Sequence, residues 1–200
     1  IAGSVALLTG GINMIIEKGT SRHVKMGSVY LYSVLLNALC ALILAFLHPN
    51  LFLFSLGILS IYLVLNGYFY LQKSKMTGPV SPTRLDWTLN ISLFIFGVWL
   101  LSISVIKLSN GSPAIIPLIF GIFSVYLSGF LLMRLRKFPS RQSHTFLGAH
   151  IANMVGSFTT IFSAFLVVNN KGYYPVYLGW FGPAVLFIPW IRIWKKKYAR

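Results

Sequence analysis

Acidic side chains are nearly absent from this chain: its 200 residues include two, Glu17 and Asp86, against 17 lysines and arginines. Charge of either sign is scarce, at 10% of residues, where a soluble domain carries about 25%. The single cysteine, Cys40, lies inside an apolar run. It excludes an intramolecular disulfide and a covalent haem attachment motif, and a lone cysteine in such a setting reads as a small core residue. No polar stretch is long enough for a soluble domain, so residues 1–200 form a single unit. The chain opens on Ile1-Ala2-Gly3 rather than Met, as expected of a processed or trimmed N-terminus. Its first run lacks a basic leader and a small-residue cleavage pattern, which predicts a retained helix rather than a signal peptide.

What the chain has in abundance is long apolar runs. Hydrophobic residues make up 56% of it, and its mean hydropathy is +0.77. The runs predict seven membrane-spanning helices, over 1–16, 28–47, 52–71, 87–107, 114–133, 145–168 and 176–194. Each lies near the roughly 20 residues that cross a hydrocarbon core, and the first is near the short limit. The fold class is therefore all-α, a polytopic membrane bundle.

The basic residues alternate along these runs. Lys18, Arg22 and Lys25 follow the first, and Lys73, Lys75 and Arg84 follow the third. Arg134, Arg136, Lys137 and Arg141 follow the fifth, while Arg192, Lys195, Lys196, Lys197 and Arg200 close the seventh. Only Lys107 and Lys171 lie on the other connections. Because positive loops are held in the cytoplasm, this pattern predicts an N-terminus outside and a C-terminus inside. Trp87, Trp190 and Trp194 fit inner interfacial anchors, and Tyr173, Tyr174, Tyr177 and Trp180 outer ones. Nucleic-acid binding is excluded, since the net charge of +15 is dispersed over short loops rather than gathered on one soluble face.

Three local features bear on packing. Gly148, Ala152 and Gly156 recur at four-residue intervals, which predicts a close helix approach. Gly182-Pro183 and Pro189 predict a kinked last helix. Ser21-Arg22-His23 leading to Gly27, and Ser143-His144 leading to Gly148, share His-x-x-x-Gly after a basic loop, a trace of internal duplication or a coincidence.

The same charge ruler places most polar residues at the inner side: Glu17, Asp86, His23, His144 and His150, with His48 alone in an outer turn. Asn13 lies four residues before Glu17, Asn90 four after Asp86, and Asn153 three after His150. Residues three or four apart share a helix face. They predict an inward-opening polar vestibule lined by Glu17, Asn13, Asp86, Asn90, His150 and Asn153. The competing reading has Glu17 and Asp86 at the interface, paired with Lys18, Arg22 or Arg84, with Asp86 as a helix N-cap before Trp87.

Three stretches resemble a bacterial family of small multispan membrane proteins of unknown function. They are "GSVALLTGGINMIIEKGTSRHVKMGSVYLYSVLL" near the start, "HIANMVGSFTTIFSAFLVVN" over 150–169, and the proline-broken "WFGPAVLFIPWIRIWKKK" with its basic tail. The resemblance covers much of the two ends and little of the middle. It implies a multi-pass protein of a bacterial inner membrane, draws attention to His23 and His150, and carries no activity.

Four functions fit these residues. A b-type-cytochrome-like redox protein would use His23, His144 and His150 as haem ligands, with Arg22, Arg141 or Lys25 on the propionates. A transporter or proton-coupled channel would titrate His150 or Glu17. A hydrolase would hold zinc on Glu17, Asp86 and the histidines, although the His-x-x-x-His spacing of seven-helix zinc amidases is missing. A non-catalytic subunit or assembly factor would meet a membrane protein partner, with Arg192 to Arg200 on anionic lipid.

Overall fold

The structure is a computed structural model. It describes residues 1–78, 80–136 and 143–199, with side chains at all of them except 136, 143 and 144. The described residues form seven α-helices and no strand: α1 (Ala2–Ile15), α2 (Ser21–Leu47), α3 (Leu51–Ser74), α4 (Arg84–Ser109), α5 (Ile115–Arg136), α6 (Ser143–Asn169) and α7 (Val176–Tyr198). Six of the seven are long and apolar enough to cross a membrane. The exception is α1, whose 14 residues run about 21 Å, short of a core about 30 Å thick.

The helices overrun the apolar segments at their charged ends. α2 starts at Ser21 rather than near residue 28, and α3 and α7 run on through Lys73 and Lys197. An apolar run ends at the first charge, but backbone hydrogen bonding does not, and long basic side chains extend back to water. His23 therefore sits on a helix.

Local chemistry sets the starts. The Thr20 hydroxyl accepts from His23 N at 3.3 Å, and the Asn50 side chain accepts from Leu53 N at 3.0 Å. At α4 the N-cap is Thr83, and Asp86, three residues on, closes a reciprocal capping box. Asp86 is thus the partner of the cap and not the cap expected of it. The α1–α2 turn runs through Gly19 at φ +83°, a left-handed conformation that suits glycine.

α3 and α6 form the centre of the bundle. α3 packs on α2 and α6, α6 also packs on α7 and α1, and α4 pairs with α5. Ala6, Tyr30, Val34, Val64, Phe158 and Ile161 join α1, α2, α3 and α6 in one core, while Leu59, Tyr62, Leu63 and Leu93 join α3 to α4. The described basic ends of the helices lie together, at what we call the basic end. There the Lys18 ammonium lies 4.3 Å from the centre of a Trp194 ring, Tyr70 stacks on Phe146, and the Lys195 stem runs beside Gly148.

α7 is one helix through Pro183 and Pro189, as membrane helices can be when neighbours satisfy the freed backbone groups. One packing expectation changes. The tightest approaches are not at Gly148 and Gly156, where an added Cβ would meet ordinary contacts at 3.6 Å. The tightest against a side chain is at Gly10, where a Cβ would lie 2.5 Å from the Phe158 ring, and the tightest against backbone are at Gly97, 2.9 Å from Val125 N, and Gly121, 3.1 Å from Leu101 N. Gly97 and Gly121 lock α4 to α5. Gly97→Val should destabilise the fold by about 1–3 kcal/mol, because backbone must move to admit it. Gly182→Ala meets nothing within 4 Å and should be neutral or slightly stabilising. Thermal unfolding in detergent checks the contrast.

Candidate functional site

The expected vestibule residues divide between two networks near the basic end. The first joins α3 to α4 and is buried. Lys73 Nζ donates to Asp86 Oδ2 in a salt bridge whose side chains are 4% and 3% exposed. Thr83 N and Thr83 Oγ1 donate to the same oxygen at 2.6 and 2.7 Å. One turn deeper, Asn90 Nδ2 donates to the Asp86 carbonyl at 2.7 Å, and Tyr62 Oη donates to Asn90 Oδ1 at 2.7 Å. Asn66 Nδ2 donates to the Tyr62 carbonyl at 3.1 Å. Asp86 therefore pairs with Lys73 rather than with Arg84.

The second network joins α1, α2, α6 and α3. His150 Nδ1 lies 2.8 Å from the Gly67 carbonyl. A carbonyl only accepts, so Nδ1 carries the proton and a neutral His150 leaves Nε2 as an acceptor. The Asn13 amide, oriented as its neighbours require, donates to His23 Nδ1 at 3.3 Å and to His23 O at 3.2 Å, and accepts from Gly27 N at 2.9 Å. His23 and His150 lie within electrostatic reach of one another. Lys18 closes α1 from below, its ammonium donating to the carbonyls of Asn13, Met14 and Ile16 at 2.6, 3.0 and 2.9 Å. A cation is favoured at a helix C-terminus. Burial, then the neighbouring Lys197 ammonium, holds the Lys18 pKa below the usual lysine range.

The remaining expected residues join neither network. Glu17 is exposed in the α1–α2 turn. Asn153 turns its Nδ2 to its own helix, donating to the Ala149 carbonyl at 2.8 Å. His144 opens α6, but its side chain lies outside the described residues. Among the described residues no three His, Cys, Asp or Glu side chains gather as metal ligands. Among the described residues, Glu17 and Asp86 are thus not gathered with His23 and His150 into a metal-ligand set.

A separate feature was not anticipated. α5 packs on α4 and α3, α7 packs on α6, and α5 and α7 stand apart. Between them runs a cavity of about 420 Å³, floored by α3 and α6. Its walls are Ile116, Ile119, Phe120, Phe123 and Leu127 of α5 and Trp180, Phe181, Ala184, Ile188 and Ile191 of α7. Leu56, Leu59 and Leu63 of α3 and Ala152, Asn153 and Gly156 of α6 contribute to the floor. From Phe52 to Leu63, or Trp180 to Ile191, the lining extends about 16 Å along the helices. Trp180 stacks on Phe52 with ring centres 5.9 Å apart, and its buried Nε1 has no hydrogen-bond partner.

No family model, curated protein or solved structure matches this chain.

Sequence reasoning missed Lys73, Tyr62 and the groove. A basic and an acidic residue flanking one short connection, Lys73 and Asp86, were the available signal for the ion pair. The groove had only the small residues of α6 as a sign. Breaking the pair from one side, with Lys73→Met or Asp86→Asn, should cost about 3–5 kcal/mol because a buried charge or its hydrogen-bonding partners lose their match. The double apolar variant Lys73→Met/Asp86→Leu should recover much of that loss. Denaturant unfolding in detergent micelles, run on all three variants, measures both effects.

Proposed function

We propose that this multi-pass membrane protein, with its basic end in the cytoplasm, holds the hydrocarbon chain of a bilayer amphiphile in the groove between α5 and α7. The observation that carries this reading is the groove itself. It is long and apolar, and it runs along helices that are long and apolar enough to cross a membrane. Ligand clefts of this kind are lined mainly by apolar and aromatic side chains with a few polar groups. Here the polar ones on α6 are largely engaged already: Thr160 Oγ1 donates to the Ser157 carbonyl at 2.7 Å and Ser163 Oγ to the Trp180 carbonyl at 3.2 Å. These α6 groups make no demand on an occupant for hydrogen bonds, so a plain chain suits their stretch of the lining, while the unpartnered Trp180 Nε1 is a donor on the α7 wall.

The role is that of a non-catalytic lipid-binding subunit or lipid-handling protein in a cell membrane. The cytoplasmic placement rests on the alternation of basic connections. The basic tail Arg192, Lys195, Lys196 and Lys197 favours anionic lipid at that surface. Kinship with small multispan bacterial membrane proteins belongs to the same proposal and rests on the three stretches quoted above.

The haem-binding reading has one feature in its favour, the bond of His150 Nδ1 to a backbone carbonyl, which is how a ligating imidazole is oriented. The groove between α5 and α7 does not serve that reading, since its lining includes no histidine. Protein purified from haem-replete cells should show no Soret band. A band abolished by His150→Ala would restore haem binding as the leading function.

Filling the groove tests the main reading. Ala184→Phe should remove a tightly held lipid, about one chain per protein for a cleft of this size, while leaving the melting temperature unchanged. Native mass spectrometry of detergent-purified protein counts that lipid. Unchanged lipid retention in Ala184→Phe would overturn the proposal.

A further inference from the structure

The four faces that enclose the groove can be followed toward the basic end. On α7, Lys195 lies four residues beyond the lining residue Ile191. On α5, Arg134 lies seven beyond Leu127, the same face two turns on. On α6, Gly148 lies four before Ala152, and its missing side chain leaves room for the Lys195 stem, whose Cε and Cδ come within 3.6 and 3.7 Å of where a Cβ would sit. On α3, Tyr70 lies seven beyond Leu63, within electrostatic reach of Arg134.

Arg134 and Lys195 thus stand toward the basic end of the two helices that wall the groove, with the Arg134 charge within electrostatic reach of Lys195. Neither is matched by an acid. The one salt bridge among the described residues is Lys73 to Asp86, and the other acid, Glu17, is on the exposed α1–α2 turn. Two exposed cations on the helices that wall an apolar slot, one to two turns beyond its lining, are complementary to one ligand class, an anion carried on a hydrocarbon chain.

We propose that Arg134 and Lys195 bind the phosphate of an anionic phospholipid whose chain occupies the α5–α7 groove. This inference rests on the groove reading and adds the headgroup to it. Arg134 supplies a planar fork for two phosphate oxygens, and Lys195 supplies a mobile point charge. Arg134 is steadied by the Phe130 ring, 5.3 Å from its guanidinium carbon.

The test uses the full chain in phosphatidylcholine vesicles doped with chain-spin-labelled phosphatidylglycerol or chain-spin-labelled phosphatidylcholine. The wild type should restrict the motion of the anionic lipid in preference to the zwitterionic one. Each basic residue near the surface contributes about 1 kcal/mol, a factor of about 5. Arg134→Gln/Lys195→Gln should therefore lower the preference about 30-fold, and Arg134→Lys/Lys195→Arg should keep most of it. Equal restriction of both lipids by the wild type, abolished by Ala184→Phe, would overturn the headgroup assignment and leave the groove reading standing. Restriction that Ala184→Phe does not alter would overturn both. Inorganic phosphate at matched ionic strength should not displace the lipid, and displacement by it would show that the cations take a free anion instead.

Discussion

Hydrocarbon gives a buried charge no partner except those the protein supplies, and the Lys73–Asp86 pair is where this chain meets that constraint. Asp86 Oδ2 receives the Lys73 ammonium together with the amide and hydroxyl of Thr83. Its carbonyl receives Asn90, whose own oxygen receives Tyr62 of α3. These bonds fix both the height and the rotation of α4 against α3, because a slip of one residue would leave several buried groups unmatched at once. The position of α5 then follows. Gly97 and Gly121 bring α4 and α5 so close that the two pack as one hairpin.

The groove is a consequence of that arrangement. α5 is carried by α4, whereas α7 is carried by α6, and nothing in the pairing of either hairpin brings the two outer helices together. The space between them is closed below by α3 and α6 alone. The run Gly148, Ala152 and Gly156 keeps the α6 part of that floor low. Read in sequence, such a run predicts contact between helices, since small side chains permit it. It does not say whether a helix or a ligand takes the room. Here α3 approaches Gly156 only to ordinary contact distance, through the tips of Leu63.

Much of the architecture was legible because the bilayer imposes few solutions. Long apolar runs with no water around them must be helices, and alternating basic connections assign their ends to one side or the other. The structure has the seven helices and brings the basic ends together. Less of the site was legible. Periodicity placed Asp86 with Asn90, and each is in fact one turn from the other in a single network. Periodicity cannot say which helices face one another. Lys73 therefore read as one more loop cation, and Asn13 and Asn90 read as neighbours in one vestibule when they belong to separate junctions. His150 was read as facing the bundle interior, but its carbonyl partner, Gly67, has no side chain to announce it.

The basic residues carry information beyond sidedness. The bias toward one membrane face explains why lysine and arginine collect at one end of the bundle, but it is indifferent to their position around that end. Lys18 is drawn inward over the last carbonyls of α1, and Lys73 is drawn inward to Asp86. Each satisfies a local deficit. Arg134 and Lys195 satisfy none of this kind: they come from helices that stand apart, repel one another, and have no carboxylate between them among the described residues. Topology alone is indifferent to which helix faces carry them, since exposed charges at that end are screened by salt within about 8 Å. Their place beyond the lining on the two helices that wall an apolar slot is the part of the charge pattern that sidedness leaves unexplained, and the proposed anionic headgroup would account for it.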